Sequence, residues 1–398
     1  MKKIFLFCLM AMLCLSGCTP QPSTPSSEMS GGNSSAPQSP AIDDLDTSQY
    51  DGVFAQYRTL TDPVTGVPVM DVLLPHGWAA QVVTDWSFVS TTNPCIATIS
   101  LTSPGGDATV ILQTPHNYLQ SYDTAGLMPH WDGVDRETYI TRLAYRDAGG
   151  VLDLCFNGLL TASGTMISET PVEQELQNFL DQYTAQYAVT MVNGLNSLGG
   201  GYGISAQLSG YEGKLAFRRY RCVGHDGGNY VADACCLTIG VQYIMPSYGL
   251  SFVYTEWGVP FTIIYLAQNE ETLNKYSRDY EVIVNNSVAR PEFDFVKLSY
   301  GRYIRNLVMQ QLSASISAMT EAQAQSYMQD YSSSSQTDSD EWADAWGDYI
   351  YDRNEYTTTD GKTLKVGTEY DVVYQNGDEY YFGSQGDAPF GWEQLNRN

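Results

Sequence analysis

Residues 230–244 read YVADACCLTIGVQYI, an apolar stretch with turn residues at both ends. Glycines cluster before it, from Gly224 to Gly228, and a second turn runs from Pro246 to Gly249. Runs rich in β-branched and aromatic residues between such turn signals are typical of strands. The stretch therefore predicts a strand with a chain reversal on each side.

The same pattern recurs around this stretch. One pair of joints contains Gly210 and Gly213, and another contains Gly258 and Pro260. Consecutive strands joined by loops this short must pair antiparallel, so the region is predicted to form an antiparallel meander. Its other predicted strands are residues 204–208, 215–223, 250–256 and 261–267.

A second β-rich region precedes the meander, with strands predicted at residues 53–59, 67–74, 79–86, 95–102 and 108–113. Thr170-Pro171-Val172-Glu173 is a capping box with proline at the first helical position, which predicts that a helix begins there. Helices are predicted at residues 136–145, 172–191, 269–286 and 302–331. The fold class that follows is α+β, a mainly antiparallel sheet covered by helices.

The last part of the chain is predicted to be a small helix-plus-hairpin attachment. Trp342, Trp346 and Ile350 recur at four-residue steps, as on one face of a helix. Asn376-Gly377 lies between two apolar runs, and this dipeptide favours the type I′ turn of a β-hairpin.

The N-terminus has the form of a secretory signal. Lys2 and Lys3 precede an apolar run that ends at Leu15, too short for a bilayer span of about 20 residues. The run closes with Leu15-Ser16-Gly17-Cys18, which resembles the lipobox of bacterial lipoproteins. That resemblance implies cleavage before Cys18, acylation of its thiol, and attachment to the extracytoplasmic face of the cell membrane. An ordinary signal whose cleavage site happens to contain a cysteine is the alternative.

In that family, a non-acidic residue after the cysteine, here Thr19, is compatible with the surface or the outer-membrane side. The tether that follows is rich in serine and proline and is predicted to be disordered. A boundary between two sub-domains near residues 192–203 is an alternative to a single body. The predicted units are residues 1–17 (signal peptide), 18–49 (lipidated cysteine and linker), 50–300 (α+β body), 301–335 (amphipathic helix and linker) and 336–398 (acidic module rich in tryptophan and tyrosine).

A second resemblance lies within the body. The phrase Leu74-Pro75-His76-Gly77-Trp78 closes one predicted strand and opens the next. It is similar to the Leu-Pro-x-Gly-Trp phrase near the start of Mog1/PsbP-like domains, over about residues 50–115. The resemblance implies a central antiparallel sheet covered by helices.

The net charge of the chain limits the classes of partner that it is expected to bind. The formal net charge is −25, and removal of the leader with its two lysines makes it −27. A surface this acidic repels phosphate backbones and anionic headgroups, so no nucleic-acid partner is expected. The lipid bilayer is expected to be contacted through the acylated Cys18.

Five cysteines remain after Cys18, an odd number in a long chain, which does not indicate a disulfide scaffold. No spacing of cysteine and histidine suggests a metal site. One bridge from Cys222 to Cys235 or Cys236 is an alternative to small buried thiols. Because Cys235 and Cys236 are neighbours on a strand, they are predicted to face opposite sides of the sheet.

No motif for catalysis accompanies the four histidines, His76, His116, His130 and His225. A thiol dyad of His225 and Cys222 and a calcium site at residues 132–135 were weighed, and neither is favoured by the pattern. The glycines at residues 199–203 lack the Gly-Lys-Ser/Thr of a phosphate loop and are interpreted as a hinge. No catalytic residue, metal or cofactor is therefore predicted.

Aromatic residues in predicted turns are the candidate ligand-binding residues, because rigid amphipathic rings on loops suit the recognition of sugars or peptides. The function predicted is non-catalytic binding of a sugar, a peptide or an envelope protein. A cell-envelope hydrolase and the solute-binding receptor of a transporter are the alternatives. The candidate residues are Trp131, Tyr202, Tyr211, Tyr248 and Trp257.

Overall fold

The computed structural model describes a body whose strands and helices begin at Val53. The stretch that resembles a lipobox, the helix predicted around Trp342 and the distal half of the helix predicted at residues 302–331 lie outside the described residues. The described residues are 50–87, 90–135, 139–199, 205–247, 250–313, 353–367, 370–384 and 389–397, together with Ile42 and Leu45.

The strands are short near the chain ends and long in the middle. In chain order they are β1 (Val53–Thr61), β2 (Pro68–Pro75), β3 (Ala79–Trp86), β4 (Cys95–Thr102), β5 (Ala108–Gln113), β6 (His116–Asp123), β7 (Gly133–Val134), β8 (Thr141–Arg142), β9 (Ser163–Thr170), β10 (Gln207–Val223), β11 (Asn229–Ser247), β12 (Leu250–Ala267), β13 (Val288–Ala289), β14 (Arg353–Thr357), β15 (Thr363–Gly367), β16 (Val372–Asn376), β17 (Glu379–Gly383), β18 (Glu393–Gln394) and β19 (Asn396–Arg397). The helices are α1 (Ala148–Leu154), which continues into a π-helical turn at Cys155–Leu159, α2 (Gln174–Gly199), α3 (Glu270–Lys275), α4 (Ser277–Asn285) and α5 (Pro291–Ser313).

The predicted fold class, one antiparallel sheet covered by helices, is wrong. Strands make up 49% and helices 23% of the described chain, and the strands form several sheets. The cover of the largest sheet is shared between helices and another sheet. Val69 and Met70 of β2 belong to the same apolar cluster as Phe179 of α2 and Ile283 of α4. The helices do not cover this face of the sheet completely, because residues of β2 occupy part of it.

The largest sheet has ten described strands in the order β3-β4-β5-β12-β11-β10-β9, with β6 also pairing with β12. Its pairs are antiparallel, except that β6 meets β8 in parallel at Leu119 and Arg142. The short strand β7 pairs with β8. The antiparallel meander predicted for the middle of the chain is therefore present. Of the preceding β region, strands β3, β4 and β5 extend the same sheet, whereas β1 and β2 belong to another.

The strands of the meander are longer than the sequence pattern indicates. β10, β11 and β12 contain 17, 19 and 18 residues, so Gly210, Gly213, Gly258 and Pro260, which are predicted as joints, lie inside strands. The turn predicted from Gly224 to Gly228 is present between β10 and β11. Gly210 follows a register shift in β10. A Cβ atom on Gly213 would overlap Thr184 Oγ1 and lie 2.8 Å from Leu180 Cγ of α2. This glycine permits close approach of the helix and does not reverse the chain.

Pro260 is accommodated inside β12 because no neighbouring strand needs its missing amide hydrogen. On one side, β12 pairs with β6 as far as Val259 and with β5 from Thr262 onward. On the other side, the register with β11 shifts between Leu237 and Ile239, which leaves Pro260 without a partner. Proline is confined within sheets to such interruptions of the ladder.

Apolar clusters lie on both faces of the large sheet. Cys235 belongs to the cluster under α2, α3 and α4, and Cys236 belongs to the cluster under α1. The prediction that these neighbours face opposite sides of the sheet is confirmed. The five described cysteines are buried and none of them forms a disulfide, so the possible bridge from Cys222 is not formed.

The C-terminal hairpin is an integral part of a second sheet. Six described strands lie in the order β13-β2-β1-β17-β16-β18, and β17 pairs directly with β1. A two-residue turn joins β16 and β17, but its central residues are Gly377 and Asp378, because Asn376 pairs with Glu379. Gly377 has φ 62° and the other residues of this turn have no positive φ, so the predicted type I′ turn centred on Asn376-Gly377 is wrong. Residues from both ends of the described chain thus share one sheet. A three-stranded sheet of β15, β14 and β19 packs beside it through Tyr356 and Leu364.

The Leu74–Trp78 phrase connects the two larger sheets, since β2 ends at Pro75 and β3 begins at Ala79. Trp78 Nε1 donates a hydrogen bond to Asp279 Oδ2 of α4 at 2.8 Å. Burial raises the pKa of Asp279. Trp78 thus fixes the junction of β2 and β3 against α4, and the likeness of this phrase to Mog1/PsbP-like domains stays a prediction.

Gly213→Ala should lower the free energy of unfolding by roughly 1–3 kcal/mol, because the added methyl group overlaps α2 in a filled space. Gly194→Ala is the matched control. A Cβ atom at Gly194 meets nothing within 4 Å, and alanine in a helix is favoured over glycine by about 1 kcal/mol. Urea denaturation of the two variants measures both effects. Equal stability changes of the same sign would contradict the assigned role of Gly213.

Candidate functional site

A cleft of about 460 Å³ lies where β6 runs beside the first half of β12. Its volume falls in the range of ligand sites, roughly 300–1,000 Å³. Aromatic side chains dominate its walls, and two side chains in the lining, Arg142 and His130, can carry positive charge. The lining residues are Ser121, Tyr122, Met128, Pro129, His130, Trp131, Arg142, Phe252 and Tyr254.

The loop after β6 forms one wall of the cleft, and a buried carboxylate holds its first turn. Asp123, at the end of β6, accepts hydrogen bonds from the backbone amides of Leu127 and Met128. The next residue, Thr124, donates its amide hydrogen to Ser251 O of β12 at 2.9 Å. These bonds turn the chain back, so Pro129, His130 and Trp131 return alongside β6.

His130 is engaged through both ring nitrogens. Nδ1 accepts a hydrogen bond from the Ser121 amide at 3.4 Å, and Nε2 lies 2.9 Å from Asp132 Oδ1. The same oxygen of Asp132 accepts the Ala144 amide at 2.9 Å. The bond from Ala144, followed by that from His130, lowers the pKa of Asp132. His130 therefore ties the loop to β6, and in this arrangement neither nitrogen is open to abstract a proton from a ligand.

Arg142 lies at the base of the cleft on β8. Its Nη1 donates to Ser121 Oγ at 2.9 Å, and its Nη2 is 3.0 Å from Asp135 Oδ2. The guanidinium carbon lies over the Trp131 ring, 5.1 Å from the ring centroid. A cation in this position attracts the face of an indole, so Arg142 also fixes the orientation of Trp131.

Aromatic residues of β12 also line the cleft. Tyr254 stacks on Tyr243 of β11, with ring centroids 5.5 Å apart and planes at 15°. Phe252 packs beside Tyr254 at 6.1 Å. Burial raises the pKa of Tyr254, so its hydroxyl stays protonated at neutral pH. This part of the lining is rigid and presents rings together with a hydroxyl.

The structure brings one of the predicted aromatics to the cleft. Trp131 lines it and is 44% exposed. Tyr211 is 49% exposed but lies on β10 and is not part of the lining. Tyr202 and Tyr248 fall outside the described residues.

The prediction for Trp257 is wrong, because its ring is 2% exposed inside β12. Its Nε1 donates to Leu143 O at 3.0 Å, and Tyr118 and Tyr145 pack against the ring. The sequence pattern placed Trp257 in a turn because Gly258 and Pro260 follow it. Since those residues lie in a continuous strand, Trp257 is a core residue and is not available to a ligand.

Sequence reasoning missed Arg142, Tyr122, Phe252 and Tyr254. Arg142 was overlooked because residues 136–145 were assigned to a helix, whereas Thr141 and Arg142 form strand β8. Phe252 and Tyr254 alternate along a predicted strand, which is a signal for one shared face. The face shared by Phe252 and Tyr254 could have been identified from the sequence. The other residues that line the cleft beside that face could not.

The other histidines do not form a catalytic group in the described structure. His116 is buried, which lowers its pKa to about 4, and its Nδ1 lies 3.2 Å from Thr114 O. Next to His225, Asp226 is bound by the Tyr230 hydroxyl and the Gly228 amide. Burial raises the pKa of Cys222 to about 11, so a reactive thiolate beside His225 is not favoured.

The described ranges contain no group of three or more histidine, cysteine, aspartate or glutamate side chains that could hold a metal ion. No helix in these ranges combines the length and apolar character needed to cross a bilayer. No protein-family model matches the chain, and no curated protein matches it.

Asp132→Ala should loosen the loop that carries Trp131, because it removes the acceptor shared by His130 and Ala144. Losing a bond to a charged group predicts about tenfold faster hydrogen exchange at Ala144. Asp132→Asn keeps an acceptor oxygen and should show a smaller change.

The hydrogen bonds to Asp132 predict that the exchange rate at Ala144 depends on pH. Because the pKa of Asp132 is lowered, the stabilisation that its carboxylate gives the loop is present above the ordinary carboxyl range and is lost as pH falls through the lowered value. Unchanged exchange in Asp132→Ala would show that this carboxylate does not hold the loop.

Proposed function

We propose that this chain is a lipid-anchored protein of the extracytoplasmic membrane face whose body binds a ligand in the Trp131–Arg142 cleft without altering it chemically. The observation that supports binding is the cleft: a preorganised, mainly aromatic cavity with a guanidinium fixed at its base. Such cavities with a few placed polar groups are typical of small-ligand sites. The lipobox at Cys18 supports the anchor.

The engagement of His130 supports binding over catalysis. General acid–base catalysis requires a group within hydrogen-bond reach of the reacting proton. In the described cleft, both His130 nitrogens already have protein partners, and Asp132 is held by His130 and Ala144. A hydrolase is therefore the weaker candidate.

The antiparallel body also disfavours the transporter receptor. Receptors of that kind are built from βαβ units, in which crossover helices join parallel strands. The described strands of the large sheet pair antiparallel, apart from the contact between Leu119 and Arg142. The binding role is therefore assigned to the cleft and not to a gap between two α/β lobes.

Cys18→Ala should abolish incorporation of labelled palmitate and release the protein from the membrane fraction. Two acyl chains give lasting attachment, whereas one chain gives marginal attachment, at about 0.8 kcal/mol per buried CH₂. Cys14→Ala, within the leader, is the matched control and should be labelled like the unaltered protein. Equal palmitate incorporation in Cys18→Ala would contradict the anchor.

Binding in the cleft is tested by thermal unfolding of the detergent-solubilised full-length protein with two probe sets, neutral tetrasaccharides and uncharged tetrapeptides. At least one set should raise Tm, because a ligand that binds the native state stabilises it. Trp131→Ala should lose the shift, and Tyr211→Ala, an equally exposed aromatic outside the lining, should keep it.

The probe is then recovered and its mass is measured. An unchanged mass with a shift that depends on Trp131 supports non-catalytic binding. A cleaved probe would make the protein an enzyme and would overturn the proposal. A shift that survives in Trp131→Ala would move the binding site away from the cleft.

A further inference from the structure

We infer that the ligand of the cleft is a neutral saccharide, with one sugar ring stacked on Trp131. The inference rests on the proposed binding function and specifies the chemical class of its ligand. Three properties of the described cleft support the saccharide assignment. Its positively charged side chains already have partners, and the exposed ring of Trp131 is held in place. Strands β6 and β12 offer no free edge to a peptide.

Arg142 and His130, the two side chains of the lining that can carry positive charge, already have acidic partners within the protein. Each terminal nitrogen of Arg142 has a partner, Ser121 for one and Asp135 for the other, and Nε is shielded from solvent without a partner. His130 is bound to Asp132. An anionic ligand would meet no free cation here and would approach a chain of net charge −25. A neutral ligand avoids both costs.

Trp131 is positioned as a platform. Arg142 holds its ring from one side, and 44% of the residue remains exposed. Gly133 supports this geometry, because a Cβ atom there would lie 3.1 Å from the ring edge at Trp131 Cζ3, and its φ of 139° is not favourable for other residues. A fixed, half-exposed indole suits a flat apolar surface such as the C–H face of a sugar ring.

The lining also supplies a hydroxyl group of the kind that sugars bind. Tyr254 lines the cleft, and its hydroxyl has no hydrogen-bond partner within the described chain. A phenolic hydroxyl both donates and accepts, as a sugar hydroxyl does. An uncharged hydroxyl near an aromatic platform therefore matches a polyhydroxylated ring better than an apolar ligand.

The backbone around the cleft disfavours an extended peptide. A peptide that adds to a sheet needs a free strand edge, but β12 lies between β11 and β6. Along β6, the Ser121 amide is bound to His130 and the Asp123 amide to Met128 O. The strands of the cleft thus present side chains, not unpaired backbone groups, to a ligand.

The test is isothermal titration of the detergent-solubilised full-length protein with chitotetraose, cellotetraose and maltotetraose as neutral probes. Tetragalacturonate is the acidic counterpart, and an uncharged tetrapeptide is the peptide probe. We expect at least one neutral tetrasaccharide to bind, with the acidic one and the peptide at least about tenfold weaker. Trp131→Ala should weaken the binding about tenfold or more, Trp131→Phe should restore part of it, and Tyr211→Ala should leave it unchanged.

The outcomes separate this inference from the proposed function. If the peptide binds in a Trp131-dependent way and no saccharide does, the binding function stands and the saccharide assignment is wrong. Preference for tetragalacturonate would overturn the neutrality argument, and failure of every neutral tetrasaccharide to bind would overturn the inference as a whole. Cleavage of a bound saccharide would keep the ligand class and refute the non-catalytic function.

Discussion

Strand β12 is paired along its length by β11 on one edge, and the architecture around the cleft depends on how its other edge is shared by two shorter strands. β5 covers the second half of β12 and β6 covers the first half, with the change of neighbour at Pro260. Because β5 and β6 follow one another closely in the chain, Thr114 and Pro115 lie at this change. The edge of β12 thereby extends past β5, and the chain after β6 folds over that extension.

That folded-back chain is what turns a sheet face into a cavity. Asp123 accepts backbone amides of the loop, Asp132 of the loop accepts the Ala144 amide after β8, and His130 connects the loop to β6. These polar groups are therefore engaged in shaping the wall. An indole, a tyrosine hydroxyl and apolar surface complete the described lining, which supports the proposed binding role.

The pairing of β1 with β17 gives the body a closed organisation. The first described strand and a strand close to the C-terminus share a register from Val53 to Gln56, and Phe54 packs on Tyr381 at 4.7 Å between ring centroids. The hairpin at residues 372–383 cannot fold away from this sheet without exposing β1. In the proposed anchored protein, the tether would thus leave the body from a strand that the C-terminal hairpin holds in place.

The sequence by itself determined the alternation that makes the strands, a chain reversal next to Asn376 and the opposite orientation of Cys235 and Cys236, because these depend on neighbours along the chain. It also identified Trp131 as a candidate. Tertiary structure alone decided that Gly213 and Pro260 lie inside strands and not in chain reversals, that Trp257 is core and that Arg142 meets Trp131. Helix α2 packs closely against Gly213, and Pro260 lies at the gap between β5 and β6. Arg142 contacts a loop that folds back to it. A local pattern contains no information about such partners, since a glycine or proline has the same composition signal in a turn, a bulge or a close helix contact.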